Sequence, residues 1–263
     1  MNIVSFSGGK DSTAMLFMML EKGISVDRVI FVDTTKEFPQ MYEHIEKVKS
    51  MISPIKIETV KIDYDYWFEK YIITKGGRKG KSGYGWANIK FRWCTAAKRN
   101  AFRHIALSLP YNPIEQKEIP EKALIQLGII EFQGIAFDEK KRAERSKRTN
   151  VRYPLIEWGT TEQQALEYCY SKGFDWGGLY KIMKRVSCWC CPFSRISELK
   201  ILHDNFPKLW NKLKEMDKKA YNKFRADYTV EQLTKKFEEP LLDIKNEDST
   251  GSVTKASNGG SEI

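Results

Sequence analysis

Two groups of residues in this chain have the types and spacing to do chemistry. The first is the run Ser5-Phe6-Ser7-Gly8-Gly9-Lys10-Asp11-Ser12-Thr13. Glycines let backbone N–H groups approach an anion with no Cβ in the way. A helix beginning here adds unpaired N–H groups and the positive end of its dipole. Lys10 supplies a mobile positive charge, and Ser5, Ser7, Ser12 and Thr13 supply hydroxyls. The chemistry this suits is phosphate binding, with Ser5, Ser7, Gly8, Gly9, Lys10, Asp11, Ser12 and Thr13 as candidate nucleotide ligands.

The second group is cysteines. Cys94 lies in Arg92-Trp93-Cys94-Thr95, and Cys188, Cys190 and Cys191 lie in Ser187-Cys188-Trp189-Cys190-Cys191-Pro192. Cys188 and Cys191 have the C-x-x-C spacing that can point two sulfurs at one metal or at each other. Arg92 and Arg185 precede the two sites. Local positive charge lowers a thiol pKa, so thiolates are expected. The residues leave several readings open. One is a cubane iron–sulfur site on Cys94, Cys188 and Cys191, with Cys190 as a further candidate. Another is a redox pair, Cys188 and Cys191. A third is structural zinc, which wants four closed ligands where three are convincing. Buried structural cysteines are the plain alternative. His44, His104 and His203 show no ligand spacing and read as surface or core residues, and Cys169 reads as core.

The elements that must position these groups are legible in outline. Ile3–Phe6 reads as a buried strand, Ser12–Lys22 as a helix, Arg28–Val32 as a second strand. Met41, Ile45 and Val48 mark a helix over Gln40–Met51, and Ile55–Lys61 alternates like a third strand. This order implies a parallel sheet with right-handed crossovers and ligands at the carboxyl ends of its strands. Residues 74–86 are glycine-rich and basic and read as a mobile loop or lid. Ile129–Phe137 reads as another strand, followed by a basic segment, Lys140 to Arg152, able to clamp phosphate or sulfate. A threonine N-cap with Glu162 in the first turn starts a helix from Thr160 or Thr161 to about Lys172. Ser197–Glu239 reads as helical, with Pro207 at a first helical position. Phe206, Leu209, Trp210, Leu213, Ala220 and Phe224 form its packing stripe.

The chain has 263 residues and a formal charge of +10, which favours polyanionic partners. No basic n-region or apolar h-region opens the sequence, and no apolar run approaches the ~20 residues of a membrane span. With five cysteines, an odd number, the expectation is a reducing cytoplasmic setting without a disulfide framework. The expected division is a nucleotide-binding α/β unit with the cysteine site over 1–195, a helical extension over 196–240 and a disordered tail over 241–263.

The first motif is not a Walker A loop, because Asp11 follows the lysine and Val4 stands where the first glycine belongs. The order Ser7-Gly8-Gly9-Lys10-Asp11-Ser12 resembles the PP-loop of the ATP-pyrophosphatase and phosphoadenosine-phosphosulfate (PAPS) reductase superfamily. Phe31-Val32-Asp33-Thr34-Thr35-Lys36-Glu37-Phe38-Pro39 resembles that family's second motif. Gly134 to Arg142 resembles a third, with Ala136 in place of an arginine and Lys140 in place of a serine. Tyr153-Pro154-Leu155 to Trp158 and Arg185 to Pro192 resemble two more, the latter with Ser187 in place of a glycine.

The resemblance implies an α/β fold: a doubly wound, five-stranded parallel sheet of the adenine nucleotide α-hydrolase-like, Rossmann-like kind, with a C-terminal helical extension. It implies ATP, PAPS or adenosine phosphosulfate (APS) as nucleotide, Mg²⁺, and a 4Fe–4S cluster on Cys94, Cys188 and Cys191. Asp33 and Gly134 join the nucleotide-binding set, and Lys10, Asp11, Cys94 and Arg142 are its catalytic candidates. Arg92 and Arg142 are expected near the second substrate, and Asp11 is expected to cap the helix or face Mg²⁺. Members insert sulfur or nitrogen after adenylating a substrate, with tRNA or DNA among the substrates and a sulfur or electron donor protein as partner. A PAPS/APS reductase variant is the second reading, although no cysteine follows Cys191. A nucleotide-responsive nucleic-acid binder without turnover is the third.

Overall fold

Asn2–Phe6 forms β1, and its residues Ile3, Val4 and Phe6 are buried against both faces of a sheet. Such continuous burial is what a parallel strand covered by helices on both sides requires. The computed structural model describes residues 1–114 and 117–239. The expected tail over 241–263 lies outside the described residues.

In chain order, α1 (Lys10–Glu21) follows β1, then β2 (Arg28–Asp33), α2 (Pro39–Met51) and β3 (Ile57–Lys61). Next come α3 (Trp93–Ala106), α4 (Lys122–Gln126) and β4 (Ile130–Gln133). Then follow α5 (Lys140–Glu144), β5 (Val151–Arg152), α6 (Pro154–Glu157), α7 (Glu162–Ser171) and α8 (Leu179–Ile182). The described chain closes with α9 (Ile196–Asn205), α10 (Pro207–Lys219) and α11 (Val230–Glu238).

The sheet is five-stranded in the order β3-β2-β1-β4-β5, and every pairing is parallel. Val4 pairs with Val29 on one side and with Phe132 on the other. The order reverses at β1, so β1 and β4 flank the switch point where open α/β sheets bind ligands. Val4, Phe6, Phe31 and Phe132 face a core shared with α1, α2 and α7, whereas Ile3 and Ile30 face α3 through Ala97, Ala101 and Phe102. Each large side chain so buried contributes about 1.5–3 kcal/mol. The first core continues through Leu199, Leu213, Leu233 and Phe237, so α9 to α11 pack on the same apolar body as the sheet.

Several expectations need adjustment. The first helix starts two residues earlier than Ser12, at Lys10. The strand expected over Ile129–Phe137 ends at Gln133, where Ile135 N–H turns back to the Gln133 carbonyl, and Phe137–Glu139 is a short 3-10 turn. Within the segment read as a mobile loop or lid, residues 71–83 form a hydrogen-bonded hairpin with an antiparallel bridge between Ile72 and Ser82. The Arg78 guanidinium stacks 3.0 Å from the Tyr221 ring centroid, tying the hairpin to the C-terminal helical part. Thr161 caps α7 with a full capping box, and Pro207 opens α10, both as the sequence indicates. Within Ser197–Glu239, residues 220–229 are not helical.

Candidate functional site

The loop between β1 and α1 is built by close approach. Gly8 has φ +76°, and a Cβ there would stand 2.8 Å from Met41 Sδ. Gly9 is the N-cap and carries no side chain to satisfy the first turn. Ser7 Oγ and Ser12 Oγ lie 2.9 Å apart, Ser7 N–H donates to Ser12 Oγ, and Ser12 Oγ donates to the Gly9 carbonyl. Gly134, at the end of β4, packs on this first turn: a Cβ would meet the Ser12 backbone at 2.6 Å. Asp11 sits inside α1, so the helix-capping role expected for it falls to Gly9.

Lys10 Nζ lies 3.0 Å from Asp11 Oδ1 and 3.6 Å from Glu162 Oε1. Burial pushes the Asp11 carboxyl up to about 6, against the opposing pull of Lys10. Thr13 is fully buried and its Oγ1 lies 2.9 Å from His44 Nε2, so its hydroxyl faces the core instead of the loop. Burial pushes His44 down to about 3, which keeps the ring neutral. Asp33 ends β2 as a buried carboxylate whose Oδ1 accepts from Thr35 N–H and from Tyr42 Oη. Arg142 is exposed on α5 and pairs with Glu139 at 3.0 Å.

The cysteines come from two segments. Cys94 is in the first turn of α3, and Cys191 N–H donates to the Cys188 carbonyl in a tight turn. Trp189 N–H donates to the Lys36 carbonyl, which docks this turn on the loop after β2. Cys188 Sγ donates to Glu37 Oε1 at 3.4 Å and lies 3.3 Å from Thr34 Oγ1. Lys98 Nζ lies 3.3 Å from the same Glu37 oxygen. Burial, then the Glu37 charge, pushes the Cys188 thiol far above its ordinary value. Burial, then Cys191, raises Cys94 as well. The thiolates expected from Arg92 and Arg185 are therefore not what the site favours. Burial dominates, and the Arg92 guanidinium sits over the Phe193 ring at 4.1 Å. Cys190 is buried in the core, and Cys169, also buried, donates to the Lys10 carbonyl at 3.4 Å. Among the described residues no three Cys, His, Asp or Glu side chains stand together as a metal site.

A small open cleft lies between the carboxyl-terminal part of the sheet and α3, beside the phosphate loop. Ser5, Ile30 and Val32 of the sheet, Ser7 of the loop, and Lys98 and Phe102 of α3 line it. Arg99, Arg103, Gln133 and Arg148 add polar groups to the lining. Arg148 also bridges Glu131 at 2.5 Å and Glu121 at 2.7 Å. The sequence reading missed α3 and its cleft-facing residues, although Arg99, Phe102 and Arg103 share a helical face at three- and four-residue spacing. It also missed Tyr180, whose Oη accepts the Lys10 backbone N–H at 3.1 Å across 170 residues. No local signal marks that contact.

Comparison with known proteins adds the following. A family model described as phosphoadenosine phosphosulfate reductase domain matches residues 1–194. The uncharacterized protein MJ0066 of Methanocaldococcus jannaschii is 26% identical over 223 residues, covering 80% of this chain and 40% of that protein. The uncharacterized protein MJ0973 of the same organism is 23% identical over 215 residues, covering 79% of this chain and 45% of that protein. The chain thus spans less than half the length of these curated relatives. Among solved structures, the U34-tRNA thiolase NcsA from Methanococcus maripaludis, with its 4Fe–4S cluster, is similar at 16% identity and a TM-score of 0.40. That likeness covers 96% of this chain and 78% of the other.

Proposed function

The chain belongs to the phosphoadenosine phosphosulfate reductase domain family, and we propose that it is an enzyme that binds ATP or a sulfonucleotide at the Ser7–Thr13 loop and the adjoining cleft, in the service of substrate adenylation or sulfur transfer. One observation carries this reading. The cleft is lined by both Ser7 and Lys98, the latter one helical turn beyond Cys94 and paired with the carboxylate that Cys188 contacts. A ligand filling it touches Ser7 of the phosphate loop and Lys98, whose ammonium pairs with the carboxylate that Cys188 contacts.

In this reading the N–H groups of the loop and the Ser7 hydroxyl fix the phosphates. Lys10 Nζ meets the charge that develops as the phosphate bond opens, where fixed donors are worth most. Phe102, Ile30 and Val32 offer the nucleoside an apolar seat. Asp11, released from Lys10, would be the loop carboxylate facing a nucleotide-borne Mg²⁺, whereas Asp33 Oδ1 is engaged by Thr35 and Tyr42. Glu37 Oε1 holds the Cys188 proton, and Lys98 balances the Glu37 charge.

Cys94, Cys188 and Cys191 are soft donors of the type a 4Fe–4S cluster takes. Among the described residues they do not form a closed metal group, but Cys191 acts on both Cys94 and Cys188, and these three thiols would hold such a cluster. The reductase reading draws on the Cys188–Glu37 contact. With its proton passed to Glu37 Oε1, Cys188 Sγ bonds to the sulfonyl sulfur while the S–O bond to the nucleotide breaks, leaving the nucleotide phosphate. Cys191 then attacks Cys188 Sγ, forming a disulfide and releasing sulfite. A tRNA or DNA second substrate would meet the basic hairpin around Lys75–Lys81 and the segment Lys140–Arg152. A donor protein and a cytoplasmic setting belong to the same proposal. No helix among the described residues is long and apolar enough to cross a membrane.

Product analysis tests the reading. Pyrophosphate released from ATP selects adenylation. Sulfite released from PAPS or APS, and lost in Cys188→Ser, selects reduction. Either activity is expected to vanish in Lys10→Ala. Salt-sensitive nucleic-acid binding with neither product would replace the enzyme by a nucleotide-responsive binder.

A further inference from the structure

The segment after α7 holds three consecutive residues at positive φ: Trp176 at 51°, Gly177 at 57° and Gly178 at 83°. Glycines adopt this region freely, whereas a tryptophan there is strained and must be held by its surroundings. Its surroundings are the phosphate loop. The Trp176 indole N–H donates to the Gly8 carbonyl at 2.8 Å, and its ring lies 4.3 Å from His44. The left-handed run starts α8, and Tyr180 packs edge-on against Trp176 at 4.8 Å. The Tyr180 hydroxyl thereby reaches the first turn of α1 and accepts the Lys10 N–H. A phenol that accepts through its oxygen still has its own proton to donate. Burial pushes the phenol well above its ordinary value, so that proton is kept.

Gly9 gives the second observation. Its φ of −75° and ψ of 167° are open to any residue, so the backbone does not require glycine there. The space above it is narrow: a Cβ on Gly9 would lie 3.3 Å from Tyr180 Oη, a tight contact, and 3.6 Å from Ser7 Oγ, an ordinary one. The niche above Gly9 is therefore bounded by two hydroxyls and sits at the positive end of a helix of 12 residues.

We propose that Tyr180 is a phosphate ligand: its hydroxyl, oriented by the Lys10 amide, donates its proton to an oxygen of the anion seated over Gly9, opposite Ser7 Oγ. The proposal rests on the loop being a nucleotide site and adds to it a donor delivered from α8. The strained turn at Trp176 is the device that aims this donor.

The test titrates the full chain with ATP by calorimetry and with adenosine by ligand-observed NMR. Tyr180→Phe keeps the ring against Trp176, and unchanged circular dichroism verifies its fold. It is expected to weaken ATP about tenfold, the scale of one hydrogen bond to a charged group, and to leave adenosine unchanged. Gly9→Ala, which fills the niche without straining the backbone, is expected to give the same selective loss. Equal ATP affinity in wild type and Tyr180→Phe overturns the proposal, and so does a parallel loss for ATP and adenosine. Wild-type protein that gains nothing from the phosphates of ATP overturns the reading of the loop itself, and the proposal with it.

Discussion

The Lys10 ammonium lies 3.0 Å from the Asp11 carboxylate, its own neighbour in sequence, and both belong to the first turn of α1. The cation of the phosphate loop is thus turned toward a carboxylate that burial holds at about 6. Protonating Asp11 frees Lys10 and removes a negative charge from beside the anion.

Anion binding should therefore strengthen as pH falls from 7 to 5. Sulfate is the right probe, because its own charge is constant over that range. The account expects a several-fold tighter dissociation constant at pH 5, and a flat profile in Asp11→Asn. The folding contribution has the matching sign. The folded pKa lies above the unfolded value, so Asp11 favours the folded state most below about 3.8, and that gain is lost as pH rises through about 6.

His44 acts in the opposite sense. Its folded value of about 3 lies below the ordinary 6.5, so the folded state holds fewer protons between those limits. Its stabilising contribution is complete above about 6.5 and drains away as pH falls toward 3. From pH 6.5 to 5 the wild type should lose about 2 kcal/mol more than His44→Gln, at ~1.4 kcal/mol per pH unit. Urea denaturation at the two pH values measures the difference.

Gly134→Ala tests the close approach of β4 to the loop. The new Cβ would stand 2.6 Å from the Ser12 backbone, which has no flexible end to move aside. The expected cost is about 1–3 kcal/mol of stability, with weaker nucleotide binding as the first turn of α1 is displaced. Thermal melting and calorimetry read the two effects.

Glu37 raises the Cys188 thiol pKa by its charge. Glu37→Gln should lower that pKa and speed iodoacetamide labelling of Cys188 at pH 8. Lys98→Ala should slow it, because the Lys98 charge acts in the other direction. Labelling rates by mass spectrometry decide, and equal rates in all three proteins would remove Glu37 from the account.

Much of this site can be read from the sequence, and the reasons for the rest are physical. The order strand, Gly8-Gly9, helix is local information, and the loop stands where that order puts it. The helix α3 is not marked locally. Arg92 occupies its N-cap without a side-chain hydrogen bond, so the usual Ser, Thr, Asp or Asn start signal is missing. The two-residue strand β5 is too short to alternate. The thiol chemistry was misjudged because the sequence displays Arg92 and Arg185, whereas the burial of Cys188 arises from the loop after β2 folding against it. Tyr180 is invisible in sequence because its partner is 170 residues away.

The central claim is that one nucleotide spans the Ser7–Thr13 loop and the cleft beside α3. Its most direct test is the crystal structure of the chain with bound ATP or PAPS. The account predicts phosphate oxygens within hydrogen-bond reach of Lys10 Nζ and Ser7 Oγ, with the base against Phe102. A nucleotide seated elsewhere, or a loop that stays closed to it at saturating concentration, would contradict the account.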